Sequence, residues 1–567
     1  MLALALLTGV PDRSPHADLV RRNDQKARGT KGAVVSAHPL ASRVGLAILK
    51  RGGNAVDAAV ATFLTLAVVH PQAGNLGGGG FVVLRMADGR KLALDFREMA
   101  PARAHAKMYL DPKGEVVPGK SLETALAVGV PGSPAGIYHL WKRFGKIKQW
   151  SQLVYPAHAF AEKGFEVDDF LAESLEAKKK TLARWPATRE IFFRDGTPLG
   201  KGDFLIQKDL ASTLKRFADA GPKGFYEGET ARLFQAEMKR AGGWITQKDL
   251  AGYTVKERKV IEGSYRGHPV LAMPPPSSGG VALLEMLHML ESWPLGELGQ
   301  GSALELHYRI EVMRRAYADR ARWLGDPDFF KVPVEGLISK DYARKLVEGL
   351  PVDRASKGVE AGLPAGAPPE ESRETTHFSV LDAEGNAVSC TTTLNSTFGN
   401  GQVVTGAGFL LNNEMDDFSA KPGVPNQFGL VGAKANEIAP GKRPLSSMTP
   451  TIVLDKEGKQ PWLILGSPGG GRIINTVLQV VVQVVDHGLP LDLAVRAPRI
   501  HQQWLPPETW WEPLALPADA RKKLEAMGHL FRERPTILGR CQAIARDAQG
   551  RILAVSDPRS GGAASAW

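Results

Sequence analysis

The sequence predicts an α+β chain, and three patterns predict it. Residues 376–393 read as a β-hairpin, residues 122–256 are rich in helical periodicity, and short apolar runs repeatedly pass through glycine turns into patterned helices. At 567 residues the chain suffices for one large or two medium domains, and 43% hydrophobic with 23% charged residues is an ordinary globular composition.

The N-terminus opens on an apolar run that ends at Gly9 and gives way to a polar, Pro-containing stretch. Residues 1–30 read as a signal remnant or a disordered N-terminus, with neither a basic n-region nor a clean small-x-small cleavage site. A signal predicts a periplasmic or secreted protein. A strand follows at 32–36 and a helix at 41–50, stopped by Arg51-Gly52-Gly53 and restarted at Asn54 as the next N-cap. This second helix runs to Val69. Its apolar part is too short to span a membrane and reads as buried, and no transmembrane span is predicted.

The glycines at 74–80 lead into a strand and not into a helix carrying Lys-Ser/Thr, so they predict close backbone packing instead of a phosphate-binding loop. The strand at 91–96 delivers Arg97, a fork that fits a substrate carboxylate or an internal ion pair. Helices at 136–144, 150–161 and 230–241 read as scaffold. A strand at 264–273 is followed by MPPPSSGG and a helix at 281–290. Ser277 and Ser278 lack a GxSxG elbow and read as helix caps. A long helix at 302–324 and a loop at 327–332 complete this part.

In the hairpin, residues 376–381 and 387–393 flank the turn cluster 382–386. Centred on Glu384, the register sets 381 opposite 387 and 379 opposite 389, which brings Thr375 beside Thr393. Phe378, Val380, Val388 and Cys390 share a packing face; His377, Ser379, Ser389 and Thr391 share a polar one. Ahead of it, the Pro/Gly/Ala/Glu segment 361–374 has no hydrophobic period and predicts an extended, mobile stretch where the chain can be cut. Cleavage after Glu374 gives Thr375 a free α-amine, with a reference pKa of roughly 7.7 to 8.0, beside its own hydroxyl.

Beyond the hairpin a strand ends near Asn412 and hands over to Glu414, Asp416 and Asp417, carboxylates suited either to clamping an ammonium group or to capping a turn. The Pro/Gly-rich stretch 421–443 is long for a connection and reads as a lid. It ends at Ser446-Ser447, two hydroxyls able to donate to a carboxylate, before a strand at 451–454. The strand at 462–465 runs into GSPGGGR and an apolar helix at 473–485, and the amides of Gly469 and Gly470 are oxyanion donors or simply part of a tight turn. A helix at 519–527 and a hairpin at 539–555 close the chain.

A formal charge of +11 raises the question of an anionic partner, but no basic run with interleaved aromatics is present, so a basic surface and no nucleic-acid partner are predicted. Cys390 and Cys541 form no CxxC and no disulfide framework. The histidines show no HExxH or other ligand spacing, so neither a metal nor a cofactor is predicted, and His377 reads as a polar-face hairpin residue.

Taken together, TTHFSV at 375–380, TTTLN at 391–395, NNEMDDFS at 412–419, RPLSSM at 443–448, GSPGGGR at 466–472 and, upstream, GGNAVDAA and DFREMAP resemble the γ-glutamyltranspeptidases across residues 31–567. The resemblance implies an N-terminal-nucleophile hydrolase with a four-layer αββα sandwich, made as one precursor that cuts itself between Glu374 and Thr375 into interlocked subunits, 31–374 and 375–567. It implies Thr375 as nucleophile, activated by Thr393. Arg97, Ser446 and Ser447 would bind the α-carboxylate of a γ-glutamyl group, with its α-ammonium held by Asn395, Glu414 and Asp417. Gly469 and Gly470 would form the oxyanion hole. Implied substrates are glutathione and related γ-glutamyl compounds, with water, amino acids or dipeptides as acceptors. Some close bacterial relatives carry tyrosine where this chain has Phe428, so lid gating here would rest on packing.

Two rivals differ in their demands. A cephalosporin (glutaryl) acylase of the same fold has no ammonium for Glu414 and Asp417 to bind. A non-catalytic γ-glutamyl-ligand binding protein has no use for Thr375, Thr393 and the Gly469-Gly470 turn.

Overall fold

The computed structural model of the chain describes residues 25–359 and 375–567; the apolar N-terminal run, the 361–374 segment and Glu374 lie outside the described residues. The hairpin at its centre forms in the predicted register, with Thr376–Leu381 antiparallel to Ala387–Thr393 and Ser379 opposite Ser389. Asp382 holds the turn by accepting from the backbone N–H groups of Glu384 (3.0 Å) and Asn386 (2.9 Å). Its other oxygen accepts from Ala55 N–H at 2.8 Å, which ties the turn to the first residue of the Ala55–Val69 helix.

Two seven-stranded sheets result. In spatial order the first runs Ala563–Ala566, Ala33–Ser36, Thr376–Leu381, Ala387–Thr393, Gly79–Arg85, Lys91–Asp95, Lys256–Arg258. The second runs Lys26–Gly29, Ile552–Ser556, Gln542–Arg546, Pro461–Gly466, Thr451–Leu454, His268–Ala272, Ile261–Tyr265. Neighbouring strands are antiparallel in both. Apolar side chains including Val35, Phe81, Val83, Leu271, Ile452, Ile464 and Ile544 fill the space between the sheets.

Helices cover both outer faces. Ala55–Val69, started by an Asn54–Asp57 capping box, is buried over its whole length against the hairpin, which explains why its sequence is apolar on every face. Gly279–Leu290, Ala303–Trp323 and Arg472–Val485 form the layer over the second sheet. The αββα architecture is that of the expectation.

Several local expectations are corrected. The polar face of the hairpin is buried too, because it abuts the second sheet: Ser379 Oγ donates to Gln542 O (3.1 Å) and Ser389 Oγ to Leu465 O (3.0 Å). The single strand expected at 264–273 is a hairpin of Ile261–Tyr265 and His268–Ala272, because Arg266 and Gly267 turn the chain through positive φ. No strand leads to Asn412; the stretch carries only an isolated bridge between Val403 and Leu410, and the Asn412 amide anchors it to Gly77 O and Gly129 O, each at 2.8 Å. The cap before Gly279–Leu290 comes from Ser277, whose hydroxyl accepts from Gly279 N–H at 3.1 Å, whereas Ser278 Oγ donates to Ser446 O. The glycine-rich turn does pack backbone on backbone: a Cβ on Gly78 would lie 2.1 Å from Thr393 O, and one on Gly80 2.4 Å from Thr391 O.

Candidate active site

The hairpin ends place two threonines together. Thr375 immediately precedes its strand, Thr393 ends the partner strand, and their hydroxyl oxygens are 3.5 Å apart. Thr393 Oγ1 accepts from Asn395 N–H at 2.8 Å. Asn395 adopts a left-handed backbone (φ 73°), a conformation asparagine tolerates, and its side-chain amide donates to Asn413 O at 2.9 Å. Thr375 and Thr393 open on a small, partly enclosed cavity also lined by Arg97, Arg320, Asn395, Glu414, Asp417, Phe428, Leu430, Ser446, Ser447, Met448, Gly470 and Ile473.

One wall is charged. Arg97, at the end of the Lys91–Asp95 strand, is buried; its guanidinium donates to Glu414 and Asp417 through its two terminal nitrogens and to Pro444 O through Nε at 3.2 Å. Glu98 lies 3.7 Å from the same guanidinium, and its oxygens accept no hydrogen bond among the described residues; neither does Glu414 Oε2. Burial raises Glu98 to about 7 and holds Glu414 and Asp417 above the usual carboxylate range, although Arg97 pulls all three down. Burial opposes the charge of Arg97 in turn, but the carboxylates around it outweigh that and push it up. Three carboxyl groups outnumber the one guanidinium beside them, and an ammonium group arriving there would favour their ionised forms.

The opposite wall is made of hydroxyls and amides. Ser446 is pinned by backbone bonds to the 276–278 turn: its N–H donates to Pro276 O (2.9 Å) and its carbonyl accepts from Ser278 N–H (2.7 Å). Ser447 Oγ accepts from Arg320 at 3.1 Å. Across from them the Pro461–Gly466 strand passes through Gly469 (φ 134°) and Gly470 (φ 55°) into the Arg472–Val485 helix. Their carbonyls accept from Arg472 and Ile473 N–H, while their own N–H groups donate to nothing among the described residues. Two unspent amides at the positive end of a helix suit a developing oxyanion.

The 421–443 stretch folds over this cavity. Asn426 accepts from Phe428 N–H (3.0 Å) and Leu430 N–H (3.2 Å) and donates to Asp417 at 3.2 Å, and Phe428 O accepts from Gln503 at 3.1 Å. Phe428 sits so close over Gly470 that a Cβ there would meet its ring at 2.5 Å.

Of the residues singled out from sequence, Thr375, Thr393, Asn395, Arg97, Glu414, Asp417, Ser446, Ser447 and Gly470 all line the cavity. Gly469 is next to it in the same turn, and Glu374 lies outside the described residues. Asp416 points elsewhere, to Ser121 (2.6 Å) and Gln427 N–H (3.0 Å), in the turn-capping role left open for it. His377 is between the sheets, bonded to Thr391 and Ser379 and held near pKa 3 by burial, apart from the cavity. Arg97, Glu414 and Asp417, assigned to opposite ends of a ligand, are bonded to one another. Sequence reasoning missed Arg320 and Glu98. Arg320 had a signal: it continues the stripe Leu306, Ile310, Met313, Tyr317, so it is an arginine on the apolar face of a helix.

Known proteins resemble the chain in sequence and in fold. The gamma-glutamyltranspeptidase family matches residues 41–567. A glutathione hydrolase proenzyme of Escherichia coli is 48% identical over 94% of this chain and 91% of its own length. A crystal structure of a cephalosporin acylase from Bacillus halodurans has a TM-score of 0.83 at 28% identity, covering 98% of this chain and 99% of its own. A chain of Helicobacter pylori gamma-glutamyltranspeptidase, 42% identical, has a TM-score of 0.56 over 63% of this chain and 100% of its own.

Proposed function

The chain belongs to the gamma-glutamyltranspeptidase family, and from that premise we propose that it is a glutathione hydrolase and γ-glutamyl transferase made as a proenzyme, with Thr375 as its nucleophile. The observation that carries the reading is the pair of threonine hydroxyls 3.5 Å apart in a cavity whose charged wall suits the ammonium and carboxylate of an α-amino acid.

In the precursor, Thr375 Oγ attacks the carbonyl carbon of Glu374. The peptide C–N bond breaks as the acyl group moves to oxygen, and water then hydrolyses the ester, leaving a carboxylate on Glu374 and a free amine on Thr375. In the mature enzyme that amine takes the hydroxyl proton as Thr375 Oγ attacks the γ-carbonyl of glutathione. Thr393 holds the attacking oxygen by hydrogen bond. The amides of Gly469 and Gly470 receive the oxyanion; removing one such donor typically lowers the rate on the order of 100 to 1,000-fold. The amine takes a proton and leaves as cysteinylglycine. Water then releases glutamate, or an amino acid or dipeptide takes the γ-glutamyl group as a new amide. No step calls on a cofactor.

Glu414, Asp417 and Asn395 bind the α-ammonium in this scheme, and Ser446 and Ser447 the α-carboxylate, with Arg97 between them. Cleavage before Thr375 makes a heterodimer of a 31–374 and a 375–567 subunit. The first sheet supports it, because Ala33–Ser36 lies between Ala563–Ala566 and Thr376–Leu381, so neither half can leave without breaking strands. The apolar N-terminal run supports export to the periplasm or beyond, and no helix among the described residues is long and apolar enough to cross a membrane.

The test is arylamine release from a matched pair of anilides, γ-glutamyl and glutaryl, which differ only in the α-amino group. Strong preference for γ-glutamyl is expected. Equal or reversed preference would make the chain an acylase, and release from neither would make it a binding protein.

A further inference from the structure

We propose that Tyr317 is a positioning residue for the oxyanion hole, its hydroxyl aiming and polarising the Gly470 amide through two intervening peptide groups. The inference rests on the γ-glutamyl reading above and adds to it a residue that touches neither the substrate nor the threonines.

Tyr317 is buried on the Ala303–Trp323 helix, one turn before Arg320. Its ring meets that of His501 edge-on, with centroids 5.8 Å apart. His501 is fixed at both nitrogens, by Asn475 and by Gln503, each at 2.8 Å. Held in this way, the Tyr317 hydroxyl donates to the carbonyl of Gly471, just ahead of the Arg472–Val485 helix.

That carbonyl begins a chain of aligned bonds. It shares a peptide group with the Arg472 N–H, which donates to Gly469 O at 3.0 Å. Gly469 O in turn shares a peptide group with the N–H of Gly470, which lines the cavity. In a planar trans peptide the C=O and N–H point opposite ways, so a donor on the oxygen fixes the plane and makes the N–H a better donor on the far side. Bonds lined up like this strengthen one another by about 10–30% each. The Nε of Arg472 also donates to Gly469 O, at 3.2 Å, and puts positive charge on the same carbonyl. Glycines have no side chains with which to hold their peptide planes, and Gly469 and Gly470 stand at φ 134° and 55°. The hold comes from outside the turn. In the heterodimer proposed above it comes from the other subunit, because Tyr317 precedes the cut and the turn follows it.

Tyr317→Phe keeps the ring against His501 and removes only the hydroxyl. It is compared with wild type, after a gel has confirmed self-cleavage, by kcat and KM on γ-glutamyl anilide and by inhibition with the glutamate analogue whose γ-carboxyl is replaced by a boronic acid. There the boron accepts a lone pair from Thr375 Oγ, the hydroxyl proton passes to the Thr375 amine, and the tetrahedral anion places an oxygen in the oxyanion hole. Losing a whole donor costs on the order of 100 to 1,000-fold, so a donor weakened but still present should cost about 10-fold. We expect kcat and boronate affinity to fall together by roughly that factor, with KM unchanged. An unaltered kcat, a lower kcat with boronate affinity intact, or a KM raised alongside would each overturn the inference, the last leaving Tyr317 a general support of the cavity. If the phenylalanine variant stays uncut, 3-fluorotyrosine in place of Tyr317 carries the test. Its hydroxyl is the stronger donor, so the boronate should bind more tightly at unchanged KM, and no gain would overturn the inference. Wild-type indifference between γ-glutamyl and glutaryl anilides would sink the function itself, a separate outcome.

Discussion

At the scale of single residues, chemistry rests on small offsets set by the backbone. Thr393 Oγ1 is fixed by the Asn395 N–H and faces Thr375 Oγ1 at 3.5 Å, a distance that shortens to a hydrogen bond with a modest turn of the Thr375 side chain. Thr393→Val keeps the shape and removes the hydroxyl. We expect self-cleavage slowed and kcat lowered by about 100-fold or more, read from the rate of fragment appearance on a gel and from anilide turnover; Thr393→Ser should retain most of both. A valine variant that matured and turned over at the wild-type rate would remove Thr393 from the mechanism. The two threonines were legible because β-pairing is arithmetic: once the turn is placed at 382–386, partner numbers follow. Arg320 was not, because nothing in a helix sequence tells which cavity its apolar stripe will face.

At the scale of elements, the glycine turn and the lid form one device. Gly470 has φ 55° and lies under the Phe428 ring, so a side chain there meets both backbone strain and a collision at 2.5 Å. Gly470→Ala should therefore lower anilide turnover by displacing the lid as well as the amide. Adding Phe428→Ala clears the ring and should restore part of that loss, leaving the strain of the left-handed backbone, on the order of 1 kcal/mol. Strictly additive effects in the double variant would mean that lid and turn act independently. The need for a turn at 466–472 was readable from its glycines; the ring above it was not, because residues 428 and 470 meet only through the folded lid.

At the scale of the whole molecule, the sheets meet across an interface in which apolar packing and hydrogen bonds are interleaved, Ser379 lying opposite Val35 and Ser389 opposite Val83. His377 lies in this interface, bonded to Thr391 Oγ1 (2.8 Å) and Ser379 Oγ (3.1 Å), and burial lowers its pKa to about 3. The sign follows from linkage. The unfolded chain takes up the proton near pH 6.5 and the folded one only near 3, so acid favours unfolding throughout that window, with a slope approaching roughly 1.4 kcal/mol per pH unit from this one group. His377→Asn lacks that proton. Its stability deficit relative to wild type should shrink as the pH falls from 7 to 4, as read by chemical denaturation at each pH; a constant deficit would mean that the imidazole titrates normally.

The chain itself determined whatever depends on neighbours in sequence: the hairpin and its register, the helix started at Asn54, the glycine turns, and through its ordered motifs the family and the αββα layers. Each is a local preference repeated at fixed spacing, and such preferences survive into the fold almost unchanged. Tertiary structure alone decided the rest. It buried the polar face of the hairpin against a second sheet, engaged Arg97 with Glu414 and Asp417, and carried Arg320 from a distant helix to the cavity, where it donates to Ser447. The physical reason is that charge pairing and burial depend on distance in space, which residues hundreds of positions apart acquire only when the layers pack.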